Sequence, residues 1–512
     1  MAFEPNYEKV VSSFRKKLGT TQAVIECRLP ITDGRVGAIL CANAKAYIEG
    51  SEVLGNEISF KGFANLQIIY LDEEKIPQSV EYLAEFKDRY NASDAIEGVE
   101  NILTANVVDI KTIPEETNIK VSVIVEVQID GIFSETTNAL VSVGGNSVFA
   151  KNEVVNYQTM SEVVKEKFEL LQEIEIKDTV SKILSVCSSV YIETVTPFER
   201  FLNLKGGVNL DISYVSEGEN PVIRTYEYNF DFSQEIAGEN ITPSSSIQSL
   251  IQILYNEMKV TTGIDVDKAI VTCSIPVQYK GFVFTQNEME VITDVFSINH
   301  FLNTNHASIT VGKNSSSMDF VEKISGSAML DESMPFMDEV LGNCGNSVVV
   351  ASSRIEDGRL LIEGIAYTTV IYLNKEDNAT ISYEIEIPFS VPLSAGNLQE
   401  NLTASITASI GEVSIKGKRG KEIEVNGKLF IYADFYGVDC DCVIDKIEER
   451  EEKPCDDLVL SIYIVKDGDT IWDIAKEMNA SPDMILEQNP DLELPLVAGT
   501  KVVIYKQKLI EF

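Results

Sequence analysis

The chain has 512 residues and carries 42 Lys and Arg against 80 Asp and Glu, a formal net charge of −38. This charge argues against binding to nucleic acid or to an anionic membrane surface. It suits a basic protein partner, and it is equally typical of soluble bacterial proteins whose acidic surface has no partner. The length exceeds what one hydrophobic core organises, so we expect three or four domains. The N-terminus lacks the apolar segment of a secretory signal, and no window is apolar enough to span a membrane. We therefore expect a protein that stays in the cytoplasm.

The first 20 residues predict a short N-terminal helix. Val10, Val11, Phe14 and Leu18 share one face at helical spacing. A related stretch at 163–171 precedes the second of the repeats described next, so each repeat is expected to open with a helix.

One stretch occurs three times, at 60–71, 204–215 and 362–373. Flanking segments recur with it, which indicates tandem domains at about 21–135, 160–290 and 318–440. Apolar and polar residues alternate along these stretches, and short charged turns separate them, which is typical of antiparallel hairpins. The predicted fold is mainly β, with three tandem sandwich-like or barrel-like repeats. The third position of each copy is a glycine (Gly62, Gly206 and Gly364), and the eleventh is a tyrosine (Tyr70, Tyr214 and Tyr372).

Three segments interrupt this β pattern. Ser246–Met258 is predicted as a helix inside the second repeat, and Asn299–Ser317, rich in Asn, Ser and Thr, as a linker. Residues 441–458 contain the charged run Asp445–Asp457 with one proline, which predicts a hinge between unlike domains.

The eight cysteines are scattered, and several lie in apolar strands, so we expect reduced, buried thiols. Cys440, Cys442 and Cys455 are the one cluster. It has no CxxC pair and no histidine near it in sequence, so we predict no metal site and assign it no function.

Nothing in the sequence predicts an enzyme or a cofactor. His300 and His306 lie in a polar stretch without a nucleophile, and no glycine-rich phosphate loop follows a strand. Glu81, Glu227 and Glu384 recur at matching strand positions. We interpret them as a solvated strand face, with a shared ligand site as the alternative.

Residues 459–506 follow a different pattern. A short strand at Tyr463–Val465 leads through a turn to a helix, for which Thr470 is the predicted N-cap and Asp473 completes a capping box. A second helix begins at Ser481 and stops before Pro490, and a strand follows at 497–504. The module is therefore predicted as α+β, in the order βααβ.

This module resembles a LysM domain, in Y-x-V-K-x-G-D-T-I-W-x-I-A from Tyr463, in Asn489-Pro490, and in G-T-K-V-x-I from Gly499. The resemblance implies a shallow groove for N-acetylglucosamine-containing glycans between two loops. The acidic loops would also suit a basic protein surface, and Trp472, the only tryptophan, is either a core anchor or a partner contact. The groove residues implied are Gly468, Asp469, Thr470, Ile471, Trp472, Asn489, Pro490, Asp491 and Leu492.

Three long β repeats followed by one LysM domain resemble the clostridial spore coat morphogenetic proteins of the SipL type, whose repeats are called SPOCS domains (DUF3794). The resemblance implies a non-enzymatic scaffold in the mother-cell cytoplasm that is recruited to the forespore surface. It also implies that the LysM domain docks onto stage IV sporulation protein A, the ATPase of the coat basement layer, and that other coat proteins bind the assembly. The alternative is a peptidoglycan-binding protein of the cell wall or spore cortex.

Overall fold

The computed structural model describes residues 3–506 apart from 32–33, 94–98, 146, 218–221, 266–267, 315–316, 395, 397, 419–420 and 454–459. The described chain is mainly β, as predicted, and its two helices both lie in the C-terminal module. Neither of these helices is long and apolar enough to cross a membrane.

The first repeat consists of two antiparallel three-stranded sheets, one in the order β1-β6-β5 and the other in the order β2-β3-β4. Apolar side chains from both sheets share one core, so the repeat is a β-sandwich. Its strands are β1 (Glu4–Pro30), β2 (Val36–Leu54), β3 (Glu57–Asp72), β4 (Pro77–Asn91), β5 (Glu100–Pro114) and β6 (Asn118–Gly144).

The second repeat has the same plan, with its own core. In one of its sheets β13 pairs with β7 along one edge and with β11 and β12 along the other, and β8-β9-β10 form the second sheet. Its strands are β7 (Val148–Ile176), β8 (Val180–Phe198), β9 (Phe201–Ser216), β10 (Ile223–Ala237), β11 (Ser246–Ile253), β12 (Lys259–Ile264) and β13 (Ala269–Ser297).

The third repeat differs in having two short strands, β14 and β15, that pair in succession along one edge of β20. β19 pairs along the other edge, and β16-β17-β18 form the second sheet over a third core. Its strands are β14 (His300–Asn314), β15 (Met318–Met329), β16 (Met337–Glu356), β17 (Arg359–Asn374), β18 (Thr380–Ser394), β19 (Thr403–Gly417) and β20 (Glu422–Glu452).

The glycine shared by the three repeats lies where the backbone of the neighbouring strand and a phenylalanine ring leave no room for a side chain. A Cβ added to Gly206 would lie 2.2 Å from the carbonyl oxygen of Tyr191 and 2.9 Å from the ring of Phe232. Gly62 and Gly364 face a carbonyl oxygen and a phenylalanine in the same way. The repeat therefore preserves a steric requirement of the sandwich.

Each sandwich extends beyond its core as a two-stranded ribbon. In the first repeat this ribbon runs from Glu4 opposite Gly144 to Lys17 opposite Asp130. The long strand pairs of the other two repeats extend in the same way. The three ribbons bury one another's apolar side chains, so they form a core to which every repeat contributes. Its members include Val10, Ala139, Val155, Val291, Ile309 and Val443.

The repeats form a closed triangle, because each one hydrogen-bonds to both of the others. A second shared apolar cluster lies where the β2, β8 and β16 sheets meet, and it contains Leu40, Leu184 and Leu341. The hydrogen bonds run from Gln67 Nε2 to Val186 O (3.0 Å), from Thr225 Oγ1 to Asn343 O (2.7 Å) and from Lys45 Nζ to Asn346 O (3.3 Å).

A buried polar network crosses the triangle around Arg15, whose side chain is 2% exposed. Its guanidinium pairs with Asp130 of the same repeat and donates to Gln248 Oε1 of the second repeat at 3.2 Å. It also lies over the ring of Tyr436 in the third repeat, 4.3 Å from the ring centroid. Tyr436 in turn donates to Asp130 at 3.2 Å. One arginine thus joins all three repeats.

Several local predictions were wrong. The predicted N-terminal helix at 1–20 is strand from Glu4 onward in β1, and 163–171 lies within β7. The predicted helix from Ser246 is β11, with turns after it. In each case pairing with another strand of the sandwich overrides a weak helical spacing.

Two predicted linkers are also strands. Most of Asn299–Ser317 forms β14, and the charged segment 441–458 continues as β20 to Glu452. Polar side chains are tolerated there because both strands lie in a ribbon with one solvated face. Residues 454–458 lie outside the described part of the chain.

The expectation of reduced thiols was wrong for one pair, since Cys41 on β2 and Cys344 on β16 form a disulfide. These residues are 303 positions apart in sequence, and only the closure of the triangle brings them together. Cys440 and Cys442 are exposed thiols, and Cys442 Sγ lies 3.7 Å from His306 Nδ1. Across the described residues, no group of three or more His, Cys, Asp or Glu is placed to hold a metal ion.

Candidate functional site

The C-terminal module contains β21 (Leu460–Ile464), α1 (Ile471–Glu477), α2 (Pro482–Gln488) and β22 (Lys501–Tyr505). Its two strands pair antiparallel, and both helices cover one face of this small sheet. The βααβ order agrees with the sequence prediction.

Both helix starts are capped as the sequence predicts. Thr470 Oγ1 accepts from Asp473 N at 3.3 Å, while Asp473 Oδ2 accepts from Thr470 N at 2.9 Å. The Thr470 hydroxyl also donates to Asp473 Oδ2 at 2.6 Å, and this hydrogen bond, together with the one from Thr470 N, lowers the pKa of the Asp473 carboxyl. Ser481 caps α2, and Pro482 occupies its first turn. Helices this short depend on their caps and on the core beneath them.

Several predicted groove residues use their side chains to hold the module together. Asp469 Oδ2 accepts from the backbone N–H of Lys466 and from the hydroxyl of Tyr463, which closes the turn after β21. Asn489 bridges α2 and β22, since its amide donates to Val503 O at 2.7 Å and accepts from Val503 N at 2.8 Å. These groups are therefore already hydrogen-bonded inside the module.

The other predicted groove residues differ in exposure. Gly468, Thr470, Pro490 and Asp491 are exposed, with Gly468 in the turn at a φ of +83°. Ile471 and Leu492 are half-buried against the module core. The solvent-facing part of the predicted groove thus consists of the two loop tips.

Trp472 packs against the second repeat. Its ring meets Phe296 edge-on, with centroids 5.0 Å apart, and its indole Nε1 donates to Asp294 Oδ2 at 2.8 Å. Asp294 also accepts from Lys476 Nζ at 2.7 Å. Partial burial opposes ionisation of Asp294, but these hydrogen bonds outweigh it and hold its pKa below the ordinary value. We call Asp294, Phe296, Trp472 and Lys476 the docking contact.

The docking contact could not be predicted from the sequence, because its residues are far apart in the chain. Asp294 and Phe296 lie near the end of β13, and Asp294 is 178 positions from Trp472. A second contact supports it, in which Lys453 donates to Ser297 O at 2.8 Å and also bonds Asn479 of the module. The module is thereby fastened to the end of the second repeat's ribbon.

The face of the β21–β22 sheet that the helices leave open is apolar. Leu460 lies opposite Tyr505 and Ile462 opposite Val503, and Ile464 completes the row. Their exposures are 58%, 46%, 60%, 39% and 59% respectively. We call these five residues the apolar ladder. A signal for it exists in the sequence, since the run from Ile462 to Val465 is apolar on both faces, which is unusual for a strand with one solvated side.

The comparisons with known proteins support the identity of this module. Residues 463–504 match the family model of the LysM domain. The C-terminal segment is a LysM domain. The searches against curated proteins and against solved structures returned no match for the chain. LysM domains commonly bind N-acetylglucosamine-containing glycans.

Proposed function

We propose that this protein is a non-enzymatic scaffold of the spore coat. In this proposal the three repeats form one body, and the LysM domain docks that body onto stage IV sporulation protein A at the forespore surface in the mother-cell cytoplasm. The resemblance in domain order to the SipL type motivates the proposal. The apolar ladder is the observation that carries it.

The apolar ladder favours a protein partner over a sugar. Ile462 and Leu460 are more than half exposed on a sheet face that no other described part of the chain covers. Contiguous exposed apolar groups of this kind mark interaction sites, because burying them against a partner removes them from water. A solvated glycan, whose surface is largely hydroxyl, would gain little from such a face.

Charge supports the same kind of partner. Asp467, Asp491 and Glu493 are exposed on the loops of the LysM domain, and the whole chain carries a net charge of −38. An apolar surface edged by basic residues would therefore complement the domain. The proposal therefore requires a surface of this character on the ATPase.

The test uses the full-length protein and the purified ATPase in a titration calorimetry experiment. Ile462→Glu should weaken binding at least about tenfold, because a charge in the buried centre of an interface is costly. Ile113→Glu is the matched control, since Ile113 is a strand isoleucine in the first repeat with 58% exposure. Equal affinity of the two variants, or no binding by the unaltered protein, would refute the proposal.

The family match supports a second candidate, a peptidoglycan-binding protein of the wall or cortex. The exposed loop tips at Gly468 and at Pro490–Asp491 would be its glycan contacts. This candidate predicts that the full-length protein sediments with purified peptidoglycan and that N-acetylglucosamine oligomers release it. Asp491→Lys should change that sedimentation, and Ile462→Glu should not.

A further inference from the structure

One strand edge of the second repeat has no partner strand in the described part of the chain. β12 pairs with β13 along one of its edges and lies at the end of its sheet. All six of its residues are exposed. An edge strand of this kind presents unpaired backbone N–H and C=O groups, which are a template for pairing with a further strand.

The turn after β12 shows which backbone groups the edge offers. Asp265 N donates to Lys268 O at 2.9 Å, and β12 pairs with β13 from there without a register shift. Hydrogen-bonded and non-hydrogen-bonded pairs alternate along an antiparallel ladder. The backbone groups of the residue before Asp265, and of every second residue before that, therefore point away from β13. These residues are Ile264, Thr262 and Val260.

The same residues extend the apolar face of the sheet beyond the core. Val260 lies opposite the buried Cys273. Ile264 lies opposite the buried Ala269. Both side chains are therefore on the core side of the sheet, yet Val260 is 39% exposed and Ile264 49%. A further strand beside β12 would cover them.

The equivalent edges of the other two repeats are protected. β5 and β19 occupy the same place in their sheets, on the side of the long strand where β12 pairs with β13. The outer part of β5 contains Lys111 and ends at Pro114, and that of β19 contains Lys416. Lysine and proline on an edge strand hinder pairing with other chains. β12, in contrast, has no charged residue and no proline from Val260 to Ile264.

The sequence of β12 is complementary to itself in the antiparallel direction. In a pairing centred on Thr262, Val260 lies opposite Ile264 of a second copy, so the outward backbone groups of both residues meet. Lys259 then lies opposite Asp265 of the second copy, which pairs opposite charges. A shift by one residue would set outward backbone groups against inward ones and turn the core face of one copy to the outer face of the other.

We propose that β12 binds β12 of a second copy of this chain. The two copies form a dimer with two-fold symmetry, in which β7-β13-β12 of one copy continues as β12-β13-β7 of the other. Such a self-complementary interface closes after two copies. The interface lies in the second repeat and uses neither the LysM domain nor the apolar ladder, so it stands independently of the partner proposed above.

The dimer should be weak. One pair of six-residue strands buries less surface than most stable interfaces do. The net charge of −38 also opposes contact between two copies. We therefore expect a Kd of about 10–100 μM at an ionic strength of about 0.15 M, where charges more than about 8 Å apart are largely screened.

Sedimentation equilibrium of the full-length protein tests the proposal. The average mass should rise with concentration from 56.7 kDa towards twice that mass. Thr262→Pro should hold it at the monomer mass, because proline removes an N–H that points to the open edge and is not bonded to β13. Thr112→Pro is the matched control on β5, since Thr112 precedes the turn bond from Glu115 N to Asn118 O by the same three positions. It should dimerise like the unaltered protein.

A charge reversal tests the register with exposed side chains, so it remains informative if proline disturbs the fold. Lys259→Asp should weaken the dimer about fivefold, because two carboxylates then face each other at both ends of the interface. Adding Asp265→Lys to that variant should restore the affinity. Ile462→Glu, which alters the apolar ladder, should leave the dimer unchanged.

Four results would overturn the proposal. The first is a protein that stays monomeric at about 300 μM, well above the expected Kd. The others are equal dimerisation of Thr262→Pro and Thr112→Pro, no recovery in the double charge reversal, and loss of the dimer in Ile462→Glu, which would locate the interface on the LysM domain.

Discussion

Replacing Asp294 with alanine should release the LysM domain from the second repeat. The substitution removes the acceptor for the Trp472 indole (2.8 Å) and for the Lys476 ammonium (2.7 Å). A hydrogen bond to a charged group contributes about 1.5–3 kcal/mol when buried. Asp294 is 33% exposed and Lys476 47%, so we place the combined loss near 2 kcal/mol. That is a change of roughly thirtyfold in the equilibrium between the LysM domain packed on the second repeat and the LysM domain released from it.

The assay is intrinsic fluorescence, because Trp472 is the only tryptophan in the chain. Asp294→Ala should shift the emission to longer wavelength and raise quenching by acrylamide, as the indole becomes exposed to water. Asp491→Ala is the control, since it removes an exposed carboxylate from the same domain. Unchanged emission and quenching in Asp294→Ala would refute our account of the docking contact.

Acid should have the same effect on the unaltered protein. The pKa of Asp294 lies below its ordinary value in the docked state, so the carboxylate stabilises docking at pH values above about 3.9, where the freed group is also ionised. This contribution is lost as the pH falls from there through the lowered pKa. Emission of Trp472 should therefore change in that range in the unaltered protein, but not in Asp294→Ala.

Three further predictions concern the triangle of repeats. Arg15→Met should lower the free energy of unfolding by about 3–5 kcal/mol, because it leaves the buried carboxylate of Asp130 without its cationic partner. The control Arg28→Met, at an exposed ion pair, should lower it by less than about 1 kcal/mol. Denaturant titrations measure both variants, and equal losses would contradict the role of the buried network. Gly206→Ala should lower the free energy of unfolding by about 1–3 kcal/mol, because the added methyl group clashes with Tyr191 O and the Phe232 ring. The control Gly50→Ala, with no neighbour within 4 Å, should leave it unchanged. Similar melting temperatures for the two variants would contradict this prediction and show that the second repeat relaxes around the methyl group. Burial and then the nearby charge of Asp211 raise the pKa of Glu227 to about 7, so the folded state disfavours its ionised form and the protein should lose stability as the pH rises from about 4.5 to about 7. Glu227→Gln should abolish that part of the pH dependence, and a constant difference in stability between the two proteins from pH 4 to pH 8 would rule the assignment out.

Glu227 also decides between the two interpretations of the recurring glutamates. Glu81 and Glu384 are exposed, as a solvated strand face requires, whereas Glu227 is half-buried and accepts from Val413 N of the third repeat at 3.1 Å. Equivalent positions therefore have different environments, because each faces a different neighbour in the triangle.

Local patterns were sufficient for the LysM domain. Its helix caps, turn glycine and strand periodicity act within a few residues of one another. The order of its helices and strands can therefore be predicted from the segment 463–504 alone. The same holds for the central hairpin of each repeat, where Gly62, Gly206 and Gly364 mark one steric requirement three times. The three like β units and the LysM domain could therefore be predicted from the sequence alone.

The way in which these units pack together could not be predicted from local patterns. The pairing of β1 with β6 joins segments far apart in the chain, from Glu4 opposite Gly144 to Pro30 opposite Asn118, and the segment predicted as a helix is therefore a strand. The contacts of Arg15 and the Cys41–Cys344 disulfide depend on closure of the triangle, and the docking contact of Trp472 depends on the packing of the LysM domain against the second repeat. Contacts of this kind leave no periodic trace in a sequence, because each needs one suitable residue on either side and places no constraint on the residues between them.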